Sequence, residues 1–261
     1  VDLQLANQRV VLCGAAGVLG RAIAQTLAAE GARLALLGRN PAALDELAQS
    51  LPAGRNPHLA LACDLSLAAA TDAAIEAAAR GLGDIDVLIS AAGAAQGGVF
   101  WEIDDAAWRS NLEVKLFGNI RALRAVAPRM VANGRGRIVL VVGNSARQPE
   151  PRMLPGAAAN AALLAIVRGL AEELGPHGVA INAVNPGPVR SARWDRLMQA
   201  AAARDGVEVA VAEARFLEKT ALRRLATPQE VATHVAFLAS PAAAHLSGTS
   251  LTVDGGSTKS P

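Results

Sequence analysis

Apolar residues in this chain fall into two kinds of run that alternate along its length. The short runs are RVVLC (9–13), RLALL (33–37), HLALA (58–62), DVLIS (86–90), RIVLVV (137–142), VAINAV (179–184) and SLTV (250–253). They are apolar almost throughout, without the in-out alternation of a half-wet strand, so they predict strands covered on both faces. Between them lie longer, alanine-rich windows near 18–30, 41–50, 66–81, 104–132, 155–175 and 227–239. These predict helices that approach a sheet closely, since alanine combines high helix propensity with small size. Asn40-Pro41 and Thr227-Pro228 predict helix starts, each an N-cap followed by proline at the first helical position.

The strand–helix rhythm predicts an α/β fold: a Rossmann-type, doubly wound, seven-stranded parallel sheet with helices on both faces. A length of 261 residues with one set of start and stop signals predicts a single domain over 1–261. One stretch, 190–226, breaks the rhythm. It is charged, amphipathic and follows the sixth strand, where ligands of such sheets bind, so it reads as a substrate lid. A surface helical hairpin with no gating role is the other reading.

Composition narrows the function. With 25 basic and 23 acidic residues, four Phe and three Trp, the chain lacks the basic, aromatic-studded footprint of a nucleic-acid binder. Cys13 and Cys63 are too few and too far apart for a disulfide framework or a metal site, and read as buried small hydrophobes. The uncharged stretch 87–101 is shorter than a membrane span and broken by glycine. No basic-then-apolar signal opens the sequence, so a cytoplasmic protein is expected, with neither membrane nor metal.

The first strand runs into CGAAGVLG (13–20), where Gly14, Gly17 and Gly20 let the backbone turn tightly and approach a pyrophosphate. At the end of the second strand stand Gly38 and Arg39, where a carboxylate for a ribose 2′-hydroxyl is usual. A guanidinium there suits a 2′-phosphate, so NADP(H) is favoured over NAD(H).

With these residues in hand, the chain resembles the short-chain dehydrogenase/reductase family over nearly its full length. The family's T-G-x-x-x-G-x-G reads CGAAGVLG, with Cys13 for Thr and the middle glycine displaced, so that Val18 takes the place Gly17 precedes. SAAG (90–93) stands for N-N-A-G, Asp64 for the adenine-side acid, and NPGPV (185–189) for the turn beside the nicotinamide. RLATPQEVATHVAFLAS (224–240) and LSGTSLTVDGG (246–256) are similar to the C-terminal signature. The resemblance implies a cofactor set of Gly14, Ala16, Gly17, Val18, Leu19, Arg39, Asp64, Leu65, Ala92, Gly93, Pro186, Gly187, Val189 and Ser191. It also implies an oligomer, a homo-tetramer or dimer, built on the long fourth and fifth helices.

The family's catalytic Asn, Ser, Tyr and Lys align with Lys115, Gly143, Gly156 and Asn160, and the chain contains no tyrosine at all. Asn has become Lys on one helix and Lys has become Asn on the next, which reads as an exchange. Lys115 then delivers an amine from the opposite side while Asn160 offers an amide, and Ser145 or Asn144 polarises a carbonyl. The leading expectation is an atypical NADP(H)-dependent carbonyl reductase or alcohol dehydrogenase with rerouted proton transfer, acting on a small, hydrophobic carbonyl or alcohol. Trp194, Leu197, Met198 and Phe216 on the lid are expected to favour hydrophobic ketones. Two other readings stand beside it: a catalytically silent subunit, binding cofactor or stabilising an active homologue in a mixed oligomer, and a non-redox enzyme on the same scaffold.

Overall fold

A computed structural model describes residues 2–52, 57–93 and 97–259. Among them seven parallel strands form one sheet in the order β3-β2-β1-β4-β5-β6-β7. The strands are β1 (Arg9–Cys13), β2 (Arg33–Gly38), β3 (Leu59–Ala62), β4 (Val87–Ser90), β5 (Gly136–Val141), β6 (Val179–Pro186) and β7 (Ser250–Val253). Each expected run became a strand, with bounds moved by a residue or two.

The continuous apolar pattern has a direct structural reading. Successive side chains of a strand point to opposite faces, and here both faces are dry. Val10 and Leu12 of β1 enter one core with α1 (Val18–Ala29), α2 (Pro41–Ser50) and α9 (Pro228–Ala239). Val11 and Cys13 enter a second core with α3 (Ala68–Leu82), α5 (Gly118–Ala132) and α6 (Leu154–Leu174). All four are fully buried, each aliphatic one stabilising by about 1.5–3 kcal/mol. Helix α6 is long and apolar enough to cross a membrane by length and composition, but its face carrying Leu163, Val167 and Leu174 is buried against this second core.

Both proline-led starts are capped as expected. The Asn40 side chain accepts from the Ala43 N–H, and Thr227 forms a reciprocal capping box with Glu230. The region 190–226 folds as two helices, α7 (Ala192–Asp205) and α8 (Val209–Leu217), with Gly206 in the left-handed conformation ending the first. Trp194, Met198 and Leu225 form a small core of their own there, with Phe216 edge-on to Trp194 at 4.8 Å between ring centroids. Trp194 and Met198 are therefore spent on holding the pair of helices together, which removes two of the four side chains expected to face a substrate. Leu197 remains exposed.

The order of strands reverses at β1, because the chain first steps outward to β3 and then returns to lay β4 on the other side. In open α/β sheets ligands bind in a crevice at such a switch point, which here lies outside the carboxyl ends of β1 and β4.

Candidate active site

The crevice begins where β1 turns into α1. Gly14 has φ +76°, and a Cβ on it would lie 2.8 Å from the Ala92 nitrogen, so only glycine lets the ends of β1 and β4 come this close. Gly20 lies directly beneath the Gly14 carbonyl, with no room for a side chain. Helix α1 starts at Val18 on Gly17, which has no side chain to cap it. The N–H groups of the first turn, at the positive end of the helix dipole, are thus left for an anion.

Beside this turn, Gly38 ends β2 and Arg39 is exposed. Asp64 accepts from both the backbone N–H and the hydroxyl of Ser66, at 2.9 and 2.8 Å. These bonds, with the Arg39 charge adding to them, hold its carboxyl below the usual range. Leu65 is buried under Gly118, whose missing side chain leaves only 3.1 Å of clearance. Cys13 ends β1 with its thiol pushed up to about 12 by burial, so it is no nucleophile.

Lys115 sits in a single π turn, Glu113–Phe117, between α4 (Asp105–Leu112) and α5. The Gly118 N–H reaches five residues back to the Glu113 carbonyl, and such extra-residue turns often mark functional sites. The turn is anchored on both sides. Arg121 pairs with Glu113 at 2.5 Å and donates to the Leu65 carbonyl, while the Asn119 amide donates to the Lys115 carbonyl at 2.6 Å. The Lys115 side chain lies across Gly93, filling the space a Cβ there would need. Its Nζ donates to the carbonyls of Val141 and Val142 at the end of β5, at 3.0 and 3.1 Å. The side chain is half-buried. Desolvation, then the like charge of Arg193, lowers its pKa from 10.5 to about 8.

Asn160 reaches the next residues of the same strand end from α6. Its amide donates to the Ser145 hydroxyl at 2.9 Å and lies 2.9 Å from where a Cβ of Gly143 would stand. The Asn160 carbonyl oxygen is buried with no partner. Gly156 is buried one turn earlier on α6. Lys115 and Asn160 therefore converge on consecutive residues, 141–143, from two different helices.

Other expected residues have partners within the protein. The Asn144 amide donates to the Ser257 hydroxyl at 3.0 Å, which ties it to the C-terminal segment and away from any carbonyl in the crevice. The Ser191 hydroxyl caps α7, accepting from the Trp194 N–H and donating to the Val189 carbonyl, both at 3.2 Å. Pro186 ends β6, and Gly187 packs against Asp254, which a Cβ would meet at 2.6 Å. Two participants were not visible beforehand. Arg193 is one arginine among many in a charged stretch, and Ser257 lies 113 residues from the side chain it holds.

A family model described as "Enoyl-(Acyl carrier protein) reductase" matches residues 14–258. The chain belongs to the short-chain dehydrogenase/reductase family. Membership places it among the NAD(P)-dependent oxidoreductases of alcohols and carbonyls. Among its relatives, the "Uncharacterized oxidoreductase YvrD" of Bacillus subtilis (strain 168) is 32% identical over 98% of each chain. The D-threitol dehydrogenase of Mycolicibacterium smegmatis is 32% identical over 98% of this chain and 95% of its own. Among solved structures, L-sorbose reductase from Gluconobacter frateurii, complexed with NADPH and L-sorbose, superposes with a TM-score of 0.90 at 26% identity over the whole of both chains.

Proposed function

We propose that this short-chain dehydrogenase/reductase uses NADP(H) to interconvert a small carbonyl compound and its alcohol, with Lys115 in the proton-handling role. The observation that carries this reading is the Lys115 amine, held at the end of β5 with a pKa of about 8. The residues present fit the cofactor. Gly14, Ala16, Gly17, Val18 and Leu19 would cradle its pyrophosphate at the uncapped start of α1, and Arg39 would meet a 2′-phosphate. Asp64 and Leu65 would flank the adenine, Ala92 and Gly93 the ribose, and Pro186, Gly187, Val189 and Ser191 the nicotinamide. Bound nicotinamide supplies or accepts the hydride.

The chain's own residues handle the oxygen and its proton. Two of the three Lys115 ammonium hydrogens are held by the Val141 and Val142 carbonyls, which leaves the third for a nascent alkoxide. Ser145 accepts from Asn160 and keeps its own O–H to donate to a substrate carbonyl, while Asn160 fixes where that hydroxyl sits. In this arrangement Ser145 is the carbonyl-polarising group and Asn144 a positioning residue for its turn. Reduction needs the ammonium and fades as pH rises through about 8. Oxidation needs the neutral amine and grows through the same range.

The test is NADPH oxidation against a panel of hydrophobic ketones from pH 6 to 10, with wild type and Lys115→Met. Loss of a general acid lowers kcat by about 10²–10⁴ and removes the fall near pH 8. Turnover that survives Lys115→Met with its pH profile intact refutes the assignment. A second reading, a silent subunit that supports an active homologue, is favoured by the complete absence of tyrosine. It predicts cofactor-induced stabilisation with no turnover of any substrate, and activity gained by the homologue on mixing.

A further inference from the structure

Lysine is a rare choice in this protein. Lys115, Lys219 and Lys259 are the only lysines among 25 basic side chains, and the other two are exposed. Arginine would donate to two carbonyls equally well, but it does not give up its proton. Lys115 is also built to be stable without its charge. A neutral amine has two hydrogens and one lone pair, so the Val141 and Val142 carbonyls stay satisfied while the lone pair takes the remaining direction. Among the described residues no carboxylate pairs with it, and the charged group acting on it is a cation, Arg193. Desolvation beside a second cation is the setting in which a lysine amine becomes a nucleophile toward carbonyl carbon.

We propose that Lys115 condenses with the carbonyl group of a ketone or aldehyde in the crevice to form an imine. This rests on reading the crevice as a carbonyl site, but it requires neither cofactor nor hydride transfer. The Nζ lone pair forms the C–N bond as the C=O π pair moves to oxygen, and a proton passes from nitrogen to that oxygen to give a carbinolamine. The hydroxyl then leaves as water with a second proton, and the nitrogen lone pair closes the C=N bond. One amine and one carbonyl give one imine and one water, with no change of oxidation state.

The experiment uses the whole chain without cofactor, cyclohexanone as the probe and sodium cyanoborohydride to fix any imine as a stable amine. Peptide mass spectrometry then reads the cyclohexyl adduct at each lysine. At about pH 8 the adduct forms on Lys115 at least about tenfold faster than on Lys219 or Lys259, and unfolding in urea abolishes the preference. An unlabelled Lys115, or equal labelling at all three positions, overturns the proposal. The two readings also fail separately. An adduct on a protein that never oxidises NADPH leaves the imine standing and removes the redox role. Turnover that depends on Lys115 without any adduct does the reverse.

Discussion

Among the described residues no carboxylate pairs with the Lys115 ammonium, and holding that charge in the fold has a cost that depends on pH. The amine keeps an ordinary pKa of 10.5 in the unfolded chain and about 8 in the folded one, because desolvation and Arg193 both disfavour the charge. Between those values the unfolded chain binds more protons, so stability rises with pH there. Below about pH 8 the penalty is fully present; by 10.5 it is gone. Comparing wild type with Lys115→Met isolates the effect, since methionine fills similar volume and does not titrate. The stability difference, measured by urea unfolding, moves in favour of wild type by about 2–3 kcal/mol between about pH 7 and about pH 10. A difference that stays flat over that interval means the amine is solvated. The same residue shows what a sequence conceals. Its type and its place on the fourth helical window were legible, but its bonding was not, because the Val141 and Val142 carbonyls that hold it are fixed only once β5 and the π turn are in place.

Elements were legible to the extent that local chemistry specifies them. Thr227 and Pro228 announce a helix start, and both take the expected roles in α9, where Glu230 completes a capping box and Arg224 holds its carboxyl down to about 2. Thr227→Ala removes the cap and lowers stability by about 1 kcal/mol, read as a fall in Tm of about 2–4 °C, whereas Thr227→Ser restores most of it. No change on Thr227→Ala would mean that packing of α9 against α1 alone fixes its start. By contrast, nothing in the apolar spacing of 104–132 marks the π turn. One extra residue in a turn shifts the helical face by a fraction of a period, less than the width of the apolar stripe, so the window reads as one helix. The C-terminal segment was equally hidden. Asp254 accepts from the N–H groups of Gly256 and Thr258 and from the Ser257 hydroxyl, and Ser257 in turn receives Asn144. That chain of bonds joins the end of the sequence to the loop after β5, and no local pattern encodes it.

At the scale of the whole molecule, the candidate site is assembled from segments far apart in the sequence that meet at the carboxyl end of the parallel sheet. The Gly14–Leu19 segment follows β1, Arg39 follows β2, Gly93 follows β4 and Gly187–Val189 follows β6. A ligand that spans all four binds only the folded chain, so it stabilises by RT ln(1 + [L]/Kd), about 2.7 kcal/mol at a hundredfold excess over Kd. For a chain of this size that raises Tm by about 5–10 °C. Because Arg39 stands where a carboxylate would select the 2′-hydroxyl, NADPH is expected to give the larger shift and NADH a smaller one at equal concentration. Arg39→Asp should reverse the order, since a carboxylate repels the 2′-phosphate and accepts from the hydroxyl. The comparison is informative in each direction. Equal shifts with both nucleotides would show that Arg39 is a solvated surface charge, and no shift with either would mean that the glycine turn shapes the backbone without holding a nucleotide.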